Sequence, residues 1–121
     1  MSKDIKEMNY DLVILGGGPA GLAASIYAAR GALKTAIVDS GVVGGQVNNT
    51  LEVENYPGFA SINGFDLIEK LEQHSDKFGS DKYFMQEIVG VNLLAEIKTV
   101  ETAEYLFRAK AVIIATGSHY R

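Results

Sequence analysis

The chain contains no cysteine. Within this polypeptide, that absence excludes disulfide staples, thiolate metal sites and any cysteine redox centre. Basic residues are outnumbered, 11 against 15 acidic ones, which gives a formal net charge of −4 and a pI near 5.1. That balance argues against nucleic acid or an anionic membrane as a partner. No apolar run approaches the roughly 20 residues needed to span a bilayer. The N-terminus, MSKDIKEMN, is too polar for a signal peptide, so a cytoplasmic location is the default. The two histidines, His74 and His119, lack the neighbours of a metal site. No repeat or low-complexity segment is visible. With 121 residues the chain is long enough for one domain with a real core and short for a complete two-domain enzyme.

What is present is concentrated in residues 10 to 39, YDLVILGGGPAGLAASIYAARGALKTAIVD. Tyr10 to Leu15 form an apolar run suited to a buried parallel strand. Gly16, Gly18 and Gly21 then supply G-x-G-x-x-G, and a helix is expected from Gly21 onward. Lys34 to Val38 form a second apolar run that ends in Asp39. Each part suits a dinucleotide. Gly16 allows a tight turn, Gly18 lets backbone N–H groups approach a pyrophosphate, and Gly21 lets helix pack on strand. The helix start presents partial positive charge and free donors to the phosphates. Asp39 can accept hydrogen bonds from a ribose diol. A glycine-rich turn that binds nothing is the plainer alternative, and the unit does not distinguish NAD from FAD.

Along the rest of the chain, residues 1 to 8 read as a charged, frayed leader. The first helix, to about Arg30, carries Leu22, Ile26 and Ala29 on one face, with Gly31 as its stop. Residues 40 to 63 are a long segment rich in Gly, Asn and Ser, and an irregular loop of that length in a compact domain is usually functional. A second helix is expected over 64–78, capped by Asn63 and ended by Gly79, with Phe65, Ile68, Leu71 and Phe78 as its apolar stripe. His74 falls near the edge of that stripe, in a packing or surface role. Residues 82–85 read as a short strand. Segments 87–95, 97–102 and 104–109 alternate as a three-stranded antiparallel meander. Residues 111–115, AVIIA, are suited to a central parallel strand. The fold class is therefore α/β, a Rossmann-like βαβ core with a parallel sheet plus the meander.

Four blocks carry a family resemblance: GGGPAGLAASIYAAR (16–30), GGQ (44–46) with VENYPGF (53–59), the helix of 62–79, and AVIIATG (111–117). Together they resemble the N-terminal half of the FAD domain of low-molecular-weight thioredoxin reductases, within the pyridine nucleotide–disulfide oxidoreductases. The resemblance runs from about Tyr10 to Ser118. It implies that Gly16, Gly18, Pro19, Ala20 and Gly21 hold the FAD pyrophosphate and that Asp39, where the family more often has glutamate, binds the adenosine ribose. It places Gly45, Gln46 and Asn55 along the ribityl chain and flavin ring, with Thr50 and Leu51 as weaker candidates. Amide side chains suit that edge, because they both donate and accept. Asn48 and Asn49 read as turn formers. The strand opening the meander implies backbone contacts to adenine from Glu87 and Ile88. Ala115, Thr116 and Gly117 approach the cofactor, with an ordinary turn as the alternative.

Family members continue into an NADPH domain bearing a C-x-x-C pair and return with a further FAD segment, and none of these elements is in the sequence. The chain as a whole thus reads as one incomplete FAD domain, with no residue assigned as catalytic. In the complete enzyme the resemblance implies electron flow from NADPH through FAD to a disulfide and a thioredoxin-like protein. Three readings stand: a fragment or split half of such a flavoenzyme, a stand-alone flavin-binding module completed by another chain or a second copy, and an NAD(P)-binding domain. The GGQ–ENYPGF block disfavours the last.

Overall fold

The computed structural model describes residues 4–117. Strand β1 (Lys6–Leu15) leads into helix α1 (Pro19–Arg30), β2 (Thr35–Val38), a single 3-10 turn at Gly45–Asn49, and helix α2 (Gly64–Lys77). Four strands follow: β3 (Asp81–Tyr83), β4 (Ile88–Asn92), β5 (Lys98–Thr102) and β6 (Tyr105–Ile114). They form one six-stranded sheet in the order β3-β2-β1-β6-β5-β4. β3, β2, β1 and β6 run parallel, whereas β6, β5 and β4 form the antiparallel meander. The α/β core and the meander therefore share β6.

Both helices lie on one face of the sheet. There Leu12, Ile14 and Ile37 meet Leu22 of α1 and Leu67, Ile68 and Leu71 of α2. The two helices are also joined by a buried polar contact, in which the Ser25 and Ser75 hydroxyls lie 2.7 Å apart. Satisfying both hydroxyls matters, because an unpaired buried one costs about 1–3 kcal/mol. The opposite face holds Val13, Leu15, Ala36, Val38, Val100 and Phe107. An aromatic group of Tyr10, Tyr83, Tyr105 and Phe107 packs there, mainly edge to face. The Tyr10 hydroxyl donates to Asp81 Oδ2 at 2.8 Å and lies 2.7 Å from the Tyr83 hydroxyl, tying β1 to β3 across β2.

Four expectations are revised. Lys6 to Met8 are not a frayed leader but the start of β1, in register with Tyr105 to Phe107. The partner strand supplies the hydrogen bonds, and Arg108 pairs with Glu7 at 3.3 Å, so polarity there marks exposure rather than disorder. Residues 104–109 and 111–115 are not two strands but parts of β6. Lys110, the polar residue between them, points outward and pairs with Asp11 at 3.3 Å. On α2 the buried positions are Leu67, Ile68, Leu71 and Ser75, while Phe65 is 58% exposed. α1 opens at Pro19 rather than Gly21, because proline suits a first helical position whose N–H has no intrahelical partner. Asn63 caps α2 as expected, accepting from the N–H of Phe65 at 2.8 Å and of Asp66 at 3.4 Å. His74 sits exposed with its ring 5.7 Å from Phe78. Ser118 and His119 lie outside the described residues.

Burial, then the hydrogen bonds to Tyr83 and Asp81, raise the Tyr10 pKa well above that of a free tyrosine. Above about pH 10 the unfolded chain loses this proton while the folded chain keeps it, so Tyr10's contribution to stability is complete below that pH and declines above it. Spectrophotometric titration of wild type and Tyr10→Phe should give coincident native curves near pH 10 and unfolded curves that differ by one tyrosine. An extra tyrosine ionising in the native wild type near pH 10 would contradict this.

Candidate dinucleotide site

The site forms where β1 and β6 end and α1 begins. Gly16 takes φ +127°, and a Cβ there would lie 1.9 Å from the Ala115 carbonyl oxygen. A Cβ on Gly21 would lie 1.8 Å from the Gly16 carbonyl oxygen, so both positions admit only glycine. The next strand end is fixed in turn by the Ala115 N–H, which donates to Leu15 O at 2.8 Å. Gly18 differs, because the nearest heavy atom to a Cβ there is Gly44 O at 3.8 Å. That is an ordinary contact distance, so Gly18 is the least crowded of the three motif glycines and the place where a ligand can come closest to the backbone. The first α1 hydrogen bond runs from Leu22 N–H to Gly18 O at 3.0 Å. The N–H groups of Ala20 and Gly21 precede that bond, where a helix start directs donors and partial positive charge toward an anion.

Asp39 closes the loop from the other side. Its Oδ2 accepts from the Gly17 N–H at 2.6 Å and its Oδ1 from the Gly41 N–H at 2.8 Å. A carboxylate has about four acceptor sites, so both oxygens retain capacity for a ribose hydroxyl. Asp39 therefore holds the glycine turn in shape while keeping free acceptor capacity. The backbone of Asp39 is zipped to the end of β3, with its N–H donating to Tyr83 O and the Gln86 N–H donating to its carbonyl, each at 3.0 Å. Ile88 starts β4 two residues later, with its side chain packed toward the core, so only its backbone is offered outward.

The long loop crosses the helix start. Gly44 N–H donates to Gly17 O at 2.7 Å, and Gly45 opens the 3-10 turn with φ +56°. A cavity of about 290 Å³ lies between Pro19, Val47, Thr50, Asn55, Tyr56 and Leu67. It brings Thr50 and Asn55 to the first residue of α1. Leu51 is 86% exposed and does not line it, nor does Gln46, which sits on the exposed 3-10 turn. Ala115 packs directly on the glycine turn, with Thr116 and Gly117 exposed beside it. Gly18, Pro19, Ala20, Asp39 and Ala115 thus gather around one turn, with Gly16 and Gly21 buried beneath it. Gly45, Thr50 and Asn55 extend it, and Gln46, Leu51 and Ile88 flank it.

Two contributors escape the motif. Gly17 occupies a variable position of G-x-G-x-x-G, yet a Cβ there would meet the Phe84 ring at 2.2 Å. Phe84 belongs to the segment after β3, whose next residue, Met85, takes φ +57°. The run of three consecutive glycines, with Gly17 in the middle, was the available signal for Gly17. Phe84 has no local signal, because only the fold brings β3 beside the turn. Among the described residues no cluster of metal-ligating side chains occurs, and no helix is long and apolar enough to cross a membrane.

A parallel sheet, a glycine turn at a helix start and an acid at the end of the second strand define a Rossmann-type dinucleotide-binding fold. The sequence profile described as pyridine nucleotide-disulphide oxidoreductase matches residues 10–121, and the chain belongs to that family. It is 43% identical over 116 residues to a thioredoxin reductase of Bacillus subtilis, covering 96% of this chain and 36% of that protein. A Listeria monocytogenes thioredoxin reductase is 45% identical over the same coverage. The solved thioredoxin reductase of Streptococcus pyogenes superposes with a TM-score of 0.87 at 42% identity, over 93% of this chain and 37% of that one. The chain therefore spans little more than a third of the length of these relatives, and its sheet matches their architecture.

Gly17→Ala should lower stability by about 1–3 kcal/mol through overpacking against Phe84. In urea denaturation, Phe84→Leu should recover part of that loss in the double variant. Additive losses would show that the ring is not what excludes a side chain at Gly17.

Proposed function

We propose that this chain carries the adenosine–pyrophosphate half of an FAD site. In this reading it is the N-terminal part of the FAD domain of a thioredoxin-reductase-like flavoprotein. The observation that carries the reading is the convergence of the open Gly18, the α1 helix start and the Asp39 carboxylate on one surface. Gly16, Gly18, Pro19, Ala20 and Gly21 would cradle the pyrophosphate, Asp39 the ribose, and the Ile88 backbone the adenine. Gly45, Gln46, Leu51 and Asn55 would follow the ribityl chain toward the flavin, with Ala115, Thr116 and Gly117 beside it.

The residues fit the group. Protein atoms crowd the space behind Gly16, Gly17 and Gly21, whereas at Gly18 the nearest one to a Cβ, Gly44 O, stands 3.8 Å away and leaves the backbone approachable by a pyrophosphate. When bound, FAD supplies the electron-transfer chemistry, and the protein supplies binding, orientation and electrostatics. The loop holds its N–H donors in place through Asp39 before any ligand arrives. In a complete enzyme, electrons would pass from NADPH through FAD to a redox disulfide and on to a thioredoxin-like protein, in a cytoplasmic setting. A solved relative from Clostridium acetobutylicum, 28% identical, is described as a ferredoxin-flavin thioredoxin reductase, so the electron donor of a complete enzyme is left to experiment.

A second reading has its own observation. β5 pairs with β6 only as far as Ala109, so Ala111 to Ile114 have β1 as their sole strand neighbour among the described residues. Ile113 and Ile114 are 39% and 63% exposed in this strand, which lies between its neighbours in the sheet order. A stand-alone flavin-binding module that completes its sheet with another chain or a second copy fits that open edge. Both readings require a further segment beside β6.

Purified 121-residue protein should therefore hold FAD weakly or not at all and should not catalyse NADPH-dependent disulfide reduction. Gel filtration with a visible spectrum and a mass measurement tests both readings. A colourless monomer supports the first, and a flavin-bearing oligomer supports the second. A yellow monomer with stoichiometric flavin would contradict both, and bound NAD would point to the NAD(P)-binding domain.

A further inference from the structure

Of the asparagines in the chain only Asn63 is followed by glycine. A glycine successor leaves the backbone nitrogen of the next residue unshielded, so this dipeptide is the most prone of all to intramolecular amide attack. Asn63 is exposed at the surface, and its side chain caps α2. Gly64 is buried, and its N–H donates to Thr50 O at 2.9 Å. A Cβ on Gly64 would lie 2.0 Å from Val47 O and 2.6 Å from Thr50 O. The nucleophile is thus held under the same 3-10 turn that borders the candidate cofactor cavity, while Oδ1 of Asn63 is held by the Phe65 N–H at 2.8 Å.

We propose that Asn63 is a site of spontaneous deamidation whose rate is set by opening of the 42–63 loop over Gly64. In the step, the Gly64 backbone nitrogen bonds to Asn63 Cγ, and the Cγ–Nδ2 bond breaks. Ammonia leaves with the proton from the Gly64 N–H, and a cyclic imide remains. Water then opens the imide at either carbonyl and yields aspartate or isoaspartate at position 63. No oxidant or enzyme is needed. For the attack to occur, Gly64 must release the Thr50 carbonyl and Asn63 must release the helix cap. Both conditions are met when the loop lifts, without melting the sheet, because local openings cost less than global unfolding.

The two products differ in consequence. Aspartate keeps a cap oxygen and adds negative charge at the helix start, which the helix dipole favours. Isoaspartate inserts an extra backbone carbon beside Gly64, where there is no room for a Cβ. It removes the cap and displaces the Val47–Thr50 turn irreversibly. Asn63 would then act as a chemical clock for the time the loop spends open.

The experiment follows deamidation of the intact 121-residue chain by peptide mass spectrometry at mildly alkaline pH across a urea series, with circular dichroism recorded in parallel. Conversion at Asn63 is expected to be slow in buffer. It should accelerate by roughly tenfold or more at urea concentrations below the global transition, as local opening predicts. Asn63→Ser, which keeps a capping hydroxyl, should show no conversion in this peptide. Conversion in buffer as fast as in the unfolded chain would overturn the protection by Thr50. Acceleration only within the global transition would overturn the loop gate, and absence of conversion in the unfolded chain would overturn the site itself.

Discussion

The structure depends on one close approach of backbone to backbone. At the end of β1 the chain must turn within a single residue, pass the Ala115 carbonyl and begin a helix that packs on the strand it has just left. The space that would hold a Cβ at Gly16 is filled by Ala115 O, and that at Gly21 by Gly16 O. A side chain at either position would push α1 away from the sheet. The helix start would then no longer face the crevice above β1 and β6, and its dipole would point elsewhere.

A second layer locks this turn from outside. Asp39 binds the Gly17 N–H, and Gly44 N–H binds the Gly17 carbonyl, so the glycine turn is held by both of its backbone polar groups. The segment after β3 joins the same assembly through Tyr83, Gln86 and the Phe84 ring. The glycine turn is therefore pre-organised by protein contacts, and preorganisation lowers the ordering cost of binding. Beneath the long loop, Gly64 anchors α2 to the 3-10 turn. The part of the loop nearest the candidate flavin position is thus tied to a helix rather than left free.

Much of this arrangement was legible in the sequence. The continuous apolar run at 10–15 marks a central strand because a parallel sheet buries both faces. The run at 111–115 marks the parallel end of β6 although Ile113 and Ile114 are exposed there, and the spacing of Asn63, Asp66 and Gly79 frames α2. The two misread strand boundaries share one cause. Lys6, Glu7 and Lys110 are polar residues within strands whose hydrogen bonds come from a distant partner, so local composition hides the pairing. Phe65 matches the helical period but faces the exposed side, because the core on α2 is set by Leu67 and Ser75 meeting α1 and the sheet. At the candidate site, the G-x-G-x-x-G spacing marked the turn between β1 and α1. Asp39 was legible as the acid that ends the second apolar run, and its grip on Gly17 was not, since that contact depends on the relative position of two strand ends.

The central claim is that the chain holds the adenosine diphosphate half of the cofactor and lacks a complete flavin half. Amide-resolved NMR titration of the intact chain with ADP and, separately, with FMN tests it most directly. ADP should shift the amides of residues 16–18, 20, 21 and 39–41, while FMN should leave them unmoved. Shifts at those amides with FMN alone, or no response there to ADP, would contradict it.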